Sequence, residues 1–264
     1  MTSIAANLQA VRARIARAAQ AAGRAPGAIV LVAVSKTFPA GRVAEAHAAG
    51  QQAFGENHLQ EAVEKITRLR ELALERHVAQ SHQENNRIRS DVPRPSAGVA
   101  SPEGPLLLPL EWHFIGPIQG NKTTPIAAHF QWVHSIEREK IATRLNAART
   151  EDQPPLNICI QVNVSGEASK SGVAPGEELR LAEAVARLPR LKLRGLMAIP
   201  EPTSDVALQR RRFALLRELK DRLVAQGHVL DTLSMGMSDD LEAAIAEGAT
   251  MVRVGTAIFG RRER

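Results

Sequence analysis

The apolar run IVLVAVSKT ends in a lysine, Lys36, that directly follows Ser35. At the end of a strand the stem of such a lysine is desolvated, burial lowers an amine pKa, and a neutral amine is what Schiff-base chemistry requires. A rim lysine in a salt bridge would give the same sequence. A second run ends FGEN, where Asn57 either caps the helix that follows or offers its amide to a polar ring substituent of a ligand. Two glycine- and hydroxyl-bearing segments lie further along. SMGMSDD contains Ser234, Met235, Gly236 and Ser238 before a helical stretch, and VRVGTAIFG contains Gly255 and Thr256. Backbone N–H groups at a helix start, glycines that permit close approach and hydroxyl donors make a phosphate cradle, although the same residue types also make ordinary turns. Arg253 lies two residues before Gly255, and strand alternation sets both on one side. If that side is the interior, a permanent cation sits beside the ligand; if not, Arg253 is a helix-facing salt-bridge residue. A lysine and a phosphate cradle together suggest an aldehyde cofactor with a phosphate handle, for which pyridoxal phosphate on Lys36 fits.

Other chemistries are excluded by what the chain lacks. It has one Cys and no Tyr, which removes disulfide frameworks, multi-cysteine metal sites and every mechanism that needs a phenol. HFIGPIQGNKT falls one residue short of a phosphate-binding P-loop, and Asn121 and Lys122 there could cap a helix or face a ligand. The eight His are scattered, and no zinc-hydrolase, serine-hydrolase or dinucleotide motif is present, so no metal is expected. A formal charge of +6 raises the possibility of nucleic acid, but aromatics are only 3% of the chain, too few for a stacking platform. The segment 1–27 is Arg-rich and without acids, as transit peptides are, yet Ile4, Leu8, Val11 and Ile15 recur at the spacing of a core-facing helix. No apolar run is long enough for a membrane span. A cytoplasmic protein without a membrane or specific nucleic-acid partner is expected.

These residues need a scaffold that gathers strand ends. Eight apolar or β-branched runs alternate with helical stretches: Ile29 to Ser35, Gln52 to Gly55, Trp112 to Ile115, Trp132 to Ser135, Ile158 to Val164, Leu193 to Ala198, Thr232 to Met235 and Met251 to Val254. An α/β chain with this recurrence forms a (β/α)8 barrel, in which function sits at the C-terminal strand ends. Too little chain follows the last run for a full closing helix, so the extra N-terminal helix is expected to cover the seam. Residues 81–109, rich in Pro, Ser, Asn and Gly, are expected to be a mobile inserted loop in a single domain spanning 1–264.

The strings AVSKT, FGEN, EWHFIGPIQGNK, NVSGEASKSG, GLMAIPEP, LSMGMSDD and MVRVGTAIFG, in this order, resemble the YggS family of pyridoxal-phosphate-binding proteins, also called the proline synthase co-transcribed homologue family. The resemblance spans nearly the whole chain apart from 81–109. It implies a fold-type III barrel similar to the N-terminal domain of alanine racemase, with pyridoxal phosphate on Lys36. It also implies phosphate contacts from the segments holding Ser234, Met235, Gly236, Ser238, Gly255 and Thr256, with Asn57 and Arg253 near the pyridine ring. Members of the family are mostly regarded as noncatalytic, keeping pyridoxal phosphate and amino-acid pools in balance, so no catalytic residue is expected and pyridoxal-phosphate-dependent client enzymes are candidate partners. A monomer is expected. The alternatives are a small pyridoxal-phosphate enzyme such as an amino-acid racemase, and a lysine-dependent aldolase acting on sugar phosphates. A racemase needs a base on each face of the cofactor. In the similar alanine racemases one is a Tyr, and this chain has none.

Overall fold

The computed structural model describes residues 3–89, 110–167 and 171–260. Eight parallel strands close into a barrel in chain order: β1 Val30–Val34, β2 Ala53–Glu56, β3 Glu111–Phe114, β4 Trp132–Ile136, β5 Leu156–Gln161, β6 Leu191–Met197, β7 Thr232–Ser234 and β8 Met251–Val254, which pairs back onto β1. Helices α1 Ile4–Ala21, α2 Ala40–Ala48, α3 Leu59–Arg89, α4 Thr123–His129, α5 Glu139–Ala148, α6 Glu178–Ala186, α7 Val206–Ala225, α8 Leu241–Ala246 and α9 Thr256–Phe259 complete the chain.

The strands are apolar along both faces because both faces are covered. Outward residues such as Leu31, Phe54, Val133, Ile158, Leu196 and Val252 join the large core beneath the helices. Val32, Ala53, Trp132, Cys159, Met197 and Met251 form a separate cluster that fills the interior. Two register shifts break the alternation. Between Val133 and Ile136 of β4 the chain gains a residue opposite β5, and in β6 Arg194 is the extra residue between the partners of Ile158 and Cys159. Such bulges re-aim side chains. Arg194 lies over the Trp132 ring, 4.8 Å from its centroid, and pairs with Asp231.

Helix α1 covers the seam, as its apolar stripe predicts. Ser3 caps it by accepting from the Ala6 N–H, and Ile4, Leu8, Val11, Ile15 and Ala19 are buried. Asn7 Nδ2 donates to the Ile258 carbonyl of α9, Arg14 pairs with Glu242 of α8, and Arg12 donates to the carbonyl of Gly50 after α2. Burying the four large side chains contributes on the order of 6–12 kcal/mol before ordering entropy. The short α9 is thus backed by a helix from the other end of the chain.

The inserted-loop expectation needs correction at its start. Helix α3 runs on through residues 81–89 and ends at Arg89. Residues 81–89 hold no Gly or Pro and several good helix formers, so nothing within this stretch breaks the helix. Residues 90–109 lie outside the described residues. Among the described residues no helix is long and apolar enough to cross a membrane.

Candidate functional site

Three adjoining strand ends gather the candidate residues. Ala33 pairs with Val254 and Val34 with Gly55, so the turn holding Lys36 leaves β1 between two strands, one that runs into Asn57 and one that runs into the Gly255–Thr256 turn. Lys36 is half-buried just beyond β1. A Cβ on Gly255 would stand 3.1 Å from the Val34 carbonyl, a measure of how closely β8 approaches β1 there.

The loop that carries Lys36 is clamped from outside the barrel. Lys65 of α3, almost wholly buried, donates from Nζ to the Ser35 carbonyl at 2.8 Å, to Glu56 Oε1 at 2.6 Å and to Glu61 Oε1 at 3.0 Å. Ser35 Oγ donates to Glu56 Oε1 at 2.6 Å, and Glu61 Oε1 accepts from the Thr37 N–H. Thr37 has φ 68, a left-handed conformation that costs a threonine of order 1–3 kcal/mol and is held here by that bond. Burial pushes the Glu56 carboxyl above the usual carboxylate range, with Lys65 opposing. Residues on both sides of Lys36 are therefore fixed by one buried cluster.

Asn57 does not cap α3. Its Oδ1 is buried and has no hydrogen-bond partner among the described residues. Gly116, after β3, lies so close that a Cβ there would meet the Asn57 carbonyl at 2.4 Å.

Arg253 resolves to the interior. It is 3% exposed; Nη1 donates to Ser234 Oγ at 2.6 Å and Nη2 to the Ala198 carbonyl at 2.9 Å. Desolvation lowers its pKa to about 10, which leaves it a cation at neutral pH. Ser234, an expected phosphate contact, lies inside the barrel. Its hydroxyl is fully buried in the barrel between Arg253 and His134, because a residue of β7 itself lies below the mouth. The Met235 side chain also turns away, into the core between barrel and helices, leaving its backbone alone near the turn. Gly236 has φ 94, and a Cβ on it would come within 2.6 Å of Ala244 Cβ in α8. Only glycine lets this turn lie flat on the helix. Ser238 is half-buried, its carbonyl accepting from Arg14 at 3.0 Å. Thr256, at the start of α9, is exposed. Asn121 and Lys122 are exposed in a short 3-10 turn and cap nothing through their side chains.

Sequence reasoning missed Glu56, Glu61, Lys65, Gly116, His113 and His134. Lys65 left a signal, since it lies on the stripe of Ala62 and Ile66, where a solvated lysine does not belong. Gly116 left none, because its partner is set by strand pairing.

Residues 6–263 match the model of the alanine racemase N-terminal domain. The pyridoxal phosphate homeostasis protein of Pseudomonas aeruginosa is 56% identical over 263 residues, covering 100% of this chain and 97% of that protein. The chain belongs to the pyridoxal phosphate homeostasis protein family. The family member from Escherichia coli is 48% identical over 266 residues, covering 100% of this chain and 98% of its own. PipY of Synechococcus elongatus, solved with pyridoxal phosphate bound, superposes with a TM-score of 0.73 at 31% identity, covering 98% of this chain and 100% of PipY. Alanine racemase of Corynebacterium glutamicum, 16% identical, shares the fold with a TM-score of 0.60 over 97% of this chain and 62% of the racemase. The family resemblance carried by the motifs is thereby borne out.

Proposed function

We propose that this protein binds pyridoxal 5'-phosphate covalently through Lys36 and acts as a carrier or regulator of the cofactor in pyridoxal phosphate and amino-acid homeostasis. The observation that carries this reading is the gathering of Lys36, Asn57 and the Gly255–Thr256 turn at neighbouring strand ends, above the buried Arg253. The residues suit the group: Asn57 Oδ1 is a buried acceptor with no partner among the described residues, and Gly236 and Gly255 let their turns pack closely on α8 and β1, which brings backbone N–H groups to the strand ends. Lys36 would hold the aldehyde carbon. Backbone and hydroxyl groups of Gly236, Ser238, Gly255 and Thr256 would hold the phosphate, with Asn57 and Arg253 toward the ring. When bound, pyridoxal phosphate supplies an electrophilic carbon and a ring able to accept electrons.

The chain's own residues favour holding over turnover. Arg253 remains protonated at neutral pH, so toward a ring nitrogen it offers a hydrogen bond and keeps its proton. A ring left unprotonated is the weaker electron sink. No Tyr is available as a second base. Client enzymes, a cytoplasmic setting and a monomeric state complete the proposal.

The test is an absorbance spectrum of the purified protein and of Lys36→Ala after addition of pyridoxal phosphate, followed by borohydride reduction and peptide mapping. A band near about 420 nm, lost in the variant and fixed by reduction onto Lys36, supports the reading. A protein that takes up no pyridoxal phosphate overturns it, and rapid racemisation of an amino acid by the loaded protein overturns the carrier role.

A further inference from the structure

A row of five polar side chains runs through the barrel from its N-terminal mouth to Arg253. Glu111, at the start of β3, is 44% exposed and its Oε1 lies 2.8 Å from His113 Nε2. His113 Nδ1 is 2.9 Å from His134 Nε2, and His134 Nδ1 is 2.7 Å from Ser234 Oγ. Ser234 Oγ in turn accepts from Arg253 Nη1 at 2.6 Å. The two rings and the serine are fully buried. Elsewhere the interior is filled by Val32, Ala53, Cys159, Met197 and Met251, so packing alone does not call for two imidazoles here. The bulge in β4, beside His134, is a built feature of this row.

The proton positions follow from the ends. Burial lowers both imidazole pKa values, that of His134 well below the ordinary range, so both rings are neutral. The hydrogen bond from His113, together with one from the Trp132 indole, holds Glu111 as a carboxylate against its partial burial. A carboxylate only accepts, so His113 carries its proton on Nε2 and presents Nδ1 as an acceptor. His134 must then donate from Nε2 and accept at Nδ1, which makes the Ser234 hydroxyl the donor to it. The serine oxygen is left to accept from Arg253. The guanidinium, which only donates, is compatible with that order, and the carboxylate end is what sets it. Every bond in the row has a single polarity.

We infer that Glu111 is a positioning residue for Arg253: by fixing the tautomers of His113 and His134 it orients the Ser234 hydroxyl and, through it, the guanidinium. Hydrogen bonding at the N-terminal face of the barrel is thereby transmitted to the opposite, ligand-binding end. A cleft on that N-terminal face, lined by Arg12, Gln52 and Glu111 among others, leaves the terminal carboxylate open to solvent and small solutes. The inference deepens the proposed function, since it takes Arg253 to face the cofactor.

The experiment is nitrogen-15 NMR of the imidazole and guanidinium groups in cofactor-free protein, for wild type, Glu111→Ala and Glu111→Gln, paired with pyridoxal phosphate titrations. The wild type should show His113 and His134 both protonated at Nε2. Glu111→Ala should shift or mix these tautomers, move the Arg253 Nη signals and weaken pyridoxal phosphate binding about 3- to 10-fold, the size of one hydrogen bond. Glu111→Gln, which keeps an acceptor oxygen, should restore all three. Unchanged tautomers in Glu111→Ala overturn the inference, as do shifted tautomers with unmoved Arg253 signals. If the wild type takes up no pyridoxal phosphate the functional reading fails, while the cofactor-free spectra still decide whether Glu111 orders the row and moves Arg253.

Discussion

Replacing Lys65 by Met removes the hub of the clamp around the Lys36 loop without changing side-chain length greatly. Lys65 and Glu56 are both buried, with side-chain exposures of 3% and 0%, so solvent screens little of their interaction. After the change Glu56 Oε1 keeps only Ser35 Oγ, while Oε2 already has no partner among the described residues. Removing one member of a buried pair costs about 3–5 kcal/mol, because the other charge stays desolvated. For a chain of this size that is a fall in Tm of about 6–20 °C. The deficit should depend on pH. Without Lys65 the Glu56 pKa, already raised by burial, rises further. The folded variant then binds a proton that the unfolded chain releases, so its deficit relative to wild type shrinks as pH falls toward the unfolded carboxylate range. Glu56→Gln in the Lys65→Met background removes the stranded charge and should recover about 2–3 kcal/mol, a coupling that a double-mutant cycle reads directly. Urea unfolding of cofactor-free protein at pH 7.5 and 5.5 measures all four corners. A loss below about 1 kcal/mol, or strict additivity in the double variant, would refute the clamp.

Gly236→Ala should destabilise the protein by about 1–3 kcal/mol from left-handed backbone alone, with the close approach of Ala244 Cβ adding to it. Because the turn must lift from α8, pyridoxal phosphate uptake should fall further than urea stability explains; an equal fall in both would remove Gly236 from the phosphate cradle. His113 and His134 have lowered folded pKa values, so the folded state binds fewer protons than the unfolded chain. The stability they confer is complete above the unfolded His pKa of about 6.5 and is lost as pH falls toward the lowered values, at no more than about 1.4 kcal/mol per pH unit for each ring. Urea midpoints between pH 7.5 and 5.5 should show this slope, and His134→Gln should flatten it; an unchanged slope would mean that other groups control acid unfolding.

The barrel was legible because its strands are buried on both faces and therefore read as continuous apolar runs. Lys36, Gly236 and Gly255 were legible for a related reason, as a cation and two glycines interrupt or end such runs. The direction of Arg253 was not, since alternation relates it to Gly255 without saying which face is inside. The burial of Ser234 was not legible because its motif continues into a turn, whereas the residue itself belongs to the strand. The interior row was invisible because its members are joined by pairing geometry: His113 and His134 are 21 residues apart, and His134 and Ser234 are 100 apart. The start of the loop was misjudged because 81–109 was read as one segment from its Pro, Ser, Asn and Gly content, whereas its glycines and prolines all lie at 93 or beyond and 81–89 contain neither.

The docking of α1 across the seam also orders events in time. Its contact with α9 closes 251 residues of chain, and α8, with which Arg14 pairs, also comes late in the order of elements. Until those helices exist, the stripe of Ile4, Leu8, Val11 and Ile15 has only part of its final cover, and β1 lacks one of its two neighbouring strands. A helix that precedes the whole barrel in the chain must therefore wait for partners that follow β7 and β8. Long-range closure of this kind is slow and leaves apolar surface open meanwhile, so a nascent chain would depend on holding α1 in solution until β8 arrives.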